Sequence, residues 1–133
     1  MLPVHLATVR LFIHVLAATV WVGGQLTLAG LVPALRAVGA DAPRTVARSF
    51  SRLAWPAYAV LIATGLWNIA AVHPDWSGSY GATLVAKIAV VIASGVSAWV
   101  HARSRSPRQL ALWGAASGLT AIAALFLGVV LHG

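Results

Sequence analysis

The sequence predicts an all-α integral membrane protein: a bundle of four transmembrane helices with both termini on the side away from the cytoplasm. Three observations carry that prediction. Of 133 residues, 60% are hydrophobic and 8% charged, with a mean hydropathy of +0.89. Nine basic and two acidic residues cannot coat a soluble domain of this size, whereas lipid solvates an apolar exterior directly. Second, four apolar stretches are each long enough to cross about 30 Å of hydrocarbon, which takes about 20 helical residues. Third, seven of the nine basic residues fall in two short segments: Arg36, Arg44, Arg48 and Arg52, then Arg103, Arg105 and Arg108. None lies between Ala71 and Tyr80. This alternation is the positive-inside pattern, and two arginine-bearing loops on one side require an even number of spans. Cations so distributed do not form the single basic face of a nucleic-acid binder, despite a formal net charge of +7. The bilayer is the expected partner, and nucleic acid is not.

The first span is expected over about residues 8–35. No basic segment precedes it and no small-residue cleavage site interrupts it before Gly30, so it reads as a span rather than a cleavable leader. The connector 37–52 carries Gly39, Asp41 and Pro43, a turn followed by an N-cap; its later part reads as a short basic amphipathic helix against anionic headgroups. The second span, about 53–72, runs into HPDWSGSYG, where Trp76 and Tyr80 are typical interfacial aromatics. The third, about 81–100, is closed by the basic turn ARSRSPRQ with Pro107, and the fourth covers about 110–131. Backbone groups in lipid must be satisfied within each segment, so such runs are helices. Together they are expected to make one domain, residues 1–133, without internal repeats. Gly114 and Gly118 form a GxxxG on the fourth span, and Gly23, Gly24 and Gly30 lie on the first. Close contact within the monomer is their expected use, with a dimer interface the alternative.

Ionisable groups inside a bilayer are costly and are functional candidates for that reason. Here they are Arg10, His14, Lys87 and, at the end of the second span, His73. On the first helix Arg10, His14, Trp21 and Gln25 recur at spacings of four, seven and four, which keeps them on one face. On the third, Lys87, Ser94 and His101 recur at spacings of seven; the fourth shows Trp113, Ser117 and Thr120. These polar stripes are expected to face a shared interior. The predicted topology gathers His5, His14, His73, His132, Arg10 and Lys87 in the outer half, with Lys87 about 10 Å below Tyr80. Arg10 reads as snorkelling to the interface. His5 and His132 lie near free ends, where solvation competes with ligation. His101 reads as part of the inner basic loop. Asp41 and Asp75, the only carboxylates, lie in loops, and no GxSxG, P-loop, HExxH or GxGxxG occurs. Hydrolase and transferase chemistry is therefore not expected.

The segment HVLAATVWVGGQL, with His14, Trp21, Gly23 and Gly24, resembles the first helix of the bacterial copper-resistance D (CopD) membrane domain. The likeness continues through RSFSRLAWPAYAVLIATGLWN (Phe50 to Ala54 and Thr64 to Asn68) and YGATLVAKIAVV (Tyr80, Gly81 and Lys87), over roughly residues 10–100. The fourth helix resembles the family only in hydrophobicity. The resemblance implies a multi-pass protein of the bacterial inner membrane that handles copper. The related HemJ-type oxidases share a helix-one His and a helix-three Lys and bind haem b, which would make oxidoreductase activity available. The carried-over positions are His14 and Lys87. The chain lacks methionine-rich segments and has Leu31 to Arg36 where the HemJ group has Tyr-Leu-Pro-Arg. Three expectations follow. The first is copper relayed or imported through His14 with His73 or His132, Lys87 setting the local charge. The second is haem b with His14 as axial ligand, Lys87 as propionate partner or opposite ligand, and Gly23 and Gly24 leaving room for the macrocycle beside Trp21. The third is a non-catalytic assembly subunit, as a homodimer or in a larger membrane complex.

Overall fold

A computed structural model describes residues 1–133, all of whose regular structure is helical. Four helices are long and apolar enough to cross a membrane: α1 (Leu6–Val38), α2 (Ala42–Val72), α3 (Ser79–Arg103) and α4 (Pro107–His132). The chain divides into two compact units, Met1–His73 holding α1 and α2, and Pro74–Gly133 holding α3 and α4. Each is a helical hairpin. Large apolar side chains point outward, among them Phe12, Leu66 and Phe126, as lipid contact requires.

In the first hairpin, α1 is α-helical to Ala18, winds as a π turn over Thr19–Gly23, and resumes at Gly24. Threonines bracket the irregular turn: Thr19 Oγ1 donates to the Val15 carbonyl at 2.8 Å and Thr27 Oγ1 to the Gly23 carbonyl at 2.7 Å. Such hydroxyls supply the carbonyls of a locally rewound helix with donors where lipid offers none. Gly39, Ala40 and Asp41 make the turn. Helix α2 then begins at Ala42, eleven residues before the expected start of the second span, with Pro43 in the first turn, where a missing N–H is harmless. The sequence reading separates residues 42–52 as a surface helix; the structure instead runs them straight into the span. Nothing between Arg44 and Trp55 breaks a helix, so winding continues. At 31 residues, α2 is about 46 Å long, more than the hydrocarbon depth, and its arginine-bearing end extends past it. The Asp41 side chain makes no cap hydrogen bond; its carbonyl accepts from the Thr45 N–H at 3.0 Å and the Thr45 hydroxyl at 3.1 Å.

The second hairpin is regular. Ser106 caps α4, its Oγ accepting from Gln109 N–H at 3.1 Å, and Pro107 opens the helix. At mid-span Ser94 and Ser117, both buried, exchange hydrogen bonds: Ser94 Oγ donates to the Ser117 carbonyl at 3.0 Å and Ser117 Oγ to the Ser94 carbonyl at 3.1 Å. Ahead of α3, Asp75 Oδ1 accepts from Ser77 N–H at 3.0 Å and Ser77 Oγ at 2.7 Å. The Ser77 hydroxyl, and then its N–H, hold the Asp75 carboxyl below the usual carboxylate range. This loop folds back over the start of α3, where a Cβ on Gly81 would meet backbone atoms of Asp75 and Trp76 at 2.5–2.6 Å. Only glycine fits there. His73, which ends α2, has φ 51° and ψ 64°, a left-handed conformation unusual for a residue other than glycine.

Candidate functional site

The polar stripe of α1 turns toward α2. Arg10 Nε donates to Asn68 Oδ1 at 2.5 Å, with its guanidinium 5.7 Å from the Trp67 ring centroid. The sequence reading has Arg10 snorkelling; instead it is held by α2, because Asn68 offers an acceptor at its own level. One turn deeper, His14 Nδ1 lies 2.7 Å from Thr64 Oγ1. Deeper again, Trp21 is 4% exposed and packs on Trp55 and Tyr58, with ring centroids at 5.2 and 4.5 Å. Trp55 and Tyr58 also meet edge to face at 5.8 Å, closing a three-ring cluster. The side-chain amide nitrogen of Gln25 is buried as well.

The Thr64 contact fixes the protonation pattern of His14. Thr64 Oγ1 lies 2.7 Å from the Val60 carbonyl, four residues back on α2. Two oxygens approach that closely only with a hydrogen between them, and a hydroxyl has one. The Thr64 proton is thus committed to Val60, and the 2.7 Å contact with His14 must use the Nδ1–H. Neutral His14 therefore keeps its lone pair on Nε2. A hydrogen-bonded Nδ1–H that orients the opposite nitrogen is how proteins prepare an imidazole as ligand or base.

The other histidines do not join it. His73 stands nine residues past Thr64 on α2, about 13 Å along the axis, and is exposed. His132 is exposed at the end of α4, and His5 is exposed at the start of α1, its N–H donating to Thr8 Oγ1 at 3.4 Å. His101, read from sequence as loop, packs on α4: its Nδ1 pairs with the Leu110 carbonyl at 2.8 Å, and a Cβ on Gly114 would touch its ring at 3.1 Å. No group of three or more His, Asp or Glu side chains is placed to hold a metal ion. Beside Gly23 there is open space, whereas the Phe50 ring occupies the space a Cβ on Gly24 would need. Lys87 lies across Gly128 of α4, where an added Cβ would come 3.0 Å from its Nζ. The stripe Lys87, Ser94, His101 thus faces α4 along its length. Thr64, Asn68, Trp55, Tyr58 and Gly128 carry these contacts without having been singled out from sequence as partners; Thr64 and Asn68, four apart, were the legible pair.

Paired spans with ionisable side chains inside them, and no carboxylate within any helix, define a multi-pass α-helical membrane protein that handles its ligand without hydrolytic chemistry. The chain belongs to the copper resistance protein D family, which matches residues 44–132. That stretch takes in nearly all of α2 and the whole of α3 and α4, including Thr64 and Lys87, while His14, Trp21, Gly23 and Gly24 precede it. The fourth helix lies inside the match although by eye it resembles the family only in hydrophobicity. No curated protein and no solved structure matches the chain significantly. Membership connects the protein with copper resistance at the membrane.

Proposed function

We propose that the protein passes copper along the membrane-embedded seam between α1 and α2, with Nε2 of His14 as the nitrogen that holds the ion in transit. The observation that carries this reading is the Thr64 contact, which leaves the His14 lone pair on the outward nitrogen. Imidazole suits copper, and a fixed tautomer raises its competence as a ligand. One imidazole without a cluster of further His or acidic ligands holds an ion weakly, which suits relay or import better than storage. The Arg10 guanidinium one turn above, about 6 Å along the helix, favours singly over doubly charged copper at that level. His73 and His132, exposed at helix ends, would serve as entry ligands. Lys87, a cation in the other hairpin, is not a copper ligand in this reading.

The test is metal content and visible absorption of detergent-purified protein after equilibration with copper under reducing conditions. Wild type is expected to retain copper, His14→Ala to lose it, and Thr64→Val to bind about 10–100-fold more weakly, the usual effect of removing a ligand's orienting partner. Copper retention unchanged in His14→Ala sinks the proposal. An intense Soret band that disappears in His14→Ala replaces copper with haem b.

A further inference from the structure

Lys87 presents an unmet electrostatic demand. It sits eight residues past Ser79, about 12 Å into α3. An ammonium at the centre of a span costs about 2.5–3.5 kcal/mol on insertion scales, and such groups are normally paired. The chain has two carboxylates. Asp41 lies in the α1–α2 turn, and Asp75 lies in a loop with Oδ1 occupied by Ser77. Neither helix of the Lys87 hairpin contains Asp or Glu. The counter-charge therefore has to come from outside the protein.

The hairpin has a place for it. An open recess between the start of α3 and the end of α4 is lined by Ser79, Tyr80, Thr83, Val130 and Leu131. Thr83 is four residues before Lys87, on the same helix face and one turn nearer the end. On α4, Leu131 stands three residues past Gly128, over which the Lys87 amine lies. The recess thus opens about one turn above the amine. Its walls combine hydroxyls on α3 with aliphatic surface on α4. That pairing matches an amphiphile: an oxyanion against hydroxyls with a cation beneath, and an acyl chain along Val130 and Leu131.

We propose that this recess, with Lys87 as its floor, binds the phosphate of an anionic amphiphile from the leaflet on the side of loop 73–78. Phosphate chemistry could be supplied by a lipid headgroup or by the free ion. The inference does not depend on His14 carrying copper, since it concerns the other hairpin alone. The test is native mass spectrometry of the full-length protein from mild detergent, titrated with phosphatidylglycerol, with phosphatidylcholine, and with inorganic phosphate. Wild type is expected to prefer phosphatidylglycerol over phosphatidylcholine by about tenfold, the scale of one charge-assisted hydrogen bond. Lys87→Met is expected to lose most of that preference and Lys87→Arg to keep it. Tyr80→Phe, which removes a recess hydroxyl without touching the helix contact, should lower it by about threefold if the Lys87 variants fail to fold. Competition by millimolar inorganic phosphate identifies the free ion as the source; its absence identifies the lipid. A folded Lys87→Met with wild-type preference overturns the proposal, as does wild type with neither lipid preference nor phosphate binding.

Discussion

The two hairpins pair antiparallel spans by different chemistry. Helices α3 and α4 meet through residues with little side chain: Ser94 and Ser117 exchange hydrogen bonds, and Gly114 and Gly128 make room for His101 and Lys87. Helices α1 and α2 meet through bulk, with Trp21 against Trp55 and Tyr58 and with His14 and Arg10 reaching Thr64 and Asn68. Close approach of small residues with a few hydrogen bonds is what lipid-embedded helices need to associate. The second hairpin, Lys87 apart, does little more than that. The first has a rewound turn and an oriented imidazole that association alone does not require. Features in excess of packing point to where the chemistry lies.

The contrast can be broken at its strongest point by Trp21→Ala. Removing a buried indole from a three-ring cluster should cost the first hairpin about 3 kcal/mol. Reversible unfolding in mixed micelles measures it, and a loss under about 1 kcal/mol would mean that the aromatic seam is incidental. Gly81→Ala probes the second hairpin where space rather than bulk decides. The new Cβ meets backbone that cannot yield, so about 2 kcal/mol is expected. Gly118→Ala, with nothing within 4 Å of the added atom, should be close to neutral. Smaller still is the serine exchange. A double-mutant cycle of Ser94→Ala and Ser117→Ala should give a coupling of about 0.6 kcal/mol, typical of hydrogen bonds between membrane helices. The least effect belongs to Asp75→Ala in the exposed loop. The native carboxyl titrates below its ordinary value of 3.8, so its contribution is whole above that value and is lost as pH falls through the lower native one. The difference in unfolding midpoint between variant and wild type should therefore be present at neutral pH and vanish in acid.

Much of the architecture was legible because the bilayer enforces it. Spans, connectors and the faces carrying Arg10, His14 and Trp21, or Lys87, Ser94 and His101, follow from hydropathy and helical periodicity. The early start of α2 was not, because arginines read as headgroup contacts whether their helix lies flat or continues a span. At the site, periodicity found His14 but not its partner. Thr64 looks like any helix threonine until its proton is seen to be committed to Val60. Lys87 was visible as a charge in lipid; that it rests on Gly128 depends on the pairing register of two apolar helices, which hydropathy does not encode. The π turn left no trace, since TVWVG suits ordinary winding too.

That turn has a consequence for how α1 tolerates change in length. A π segment stores a surplus residue, so deleting one position within Thr19–Gly23 would let the helix wind smoothly from end to end. Smoothness would come at the expense of phase. Everything on one side of the deletion would swing by about 100° relative to the other. Either Arg10 and His14 would leave Asn68 and Thr64, or the stretch around Gly24 and Gln25 would turn away from α2. The kinked helix is thus the one whose two halves can address the same neighbour at once.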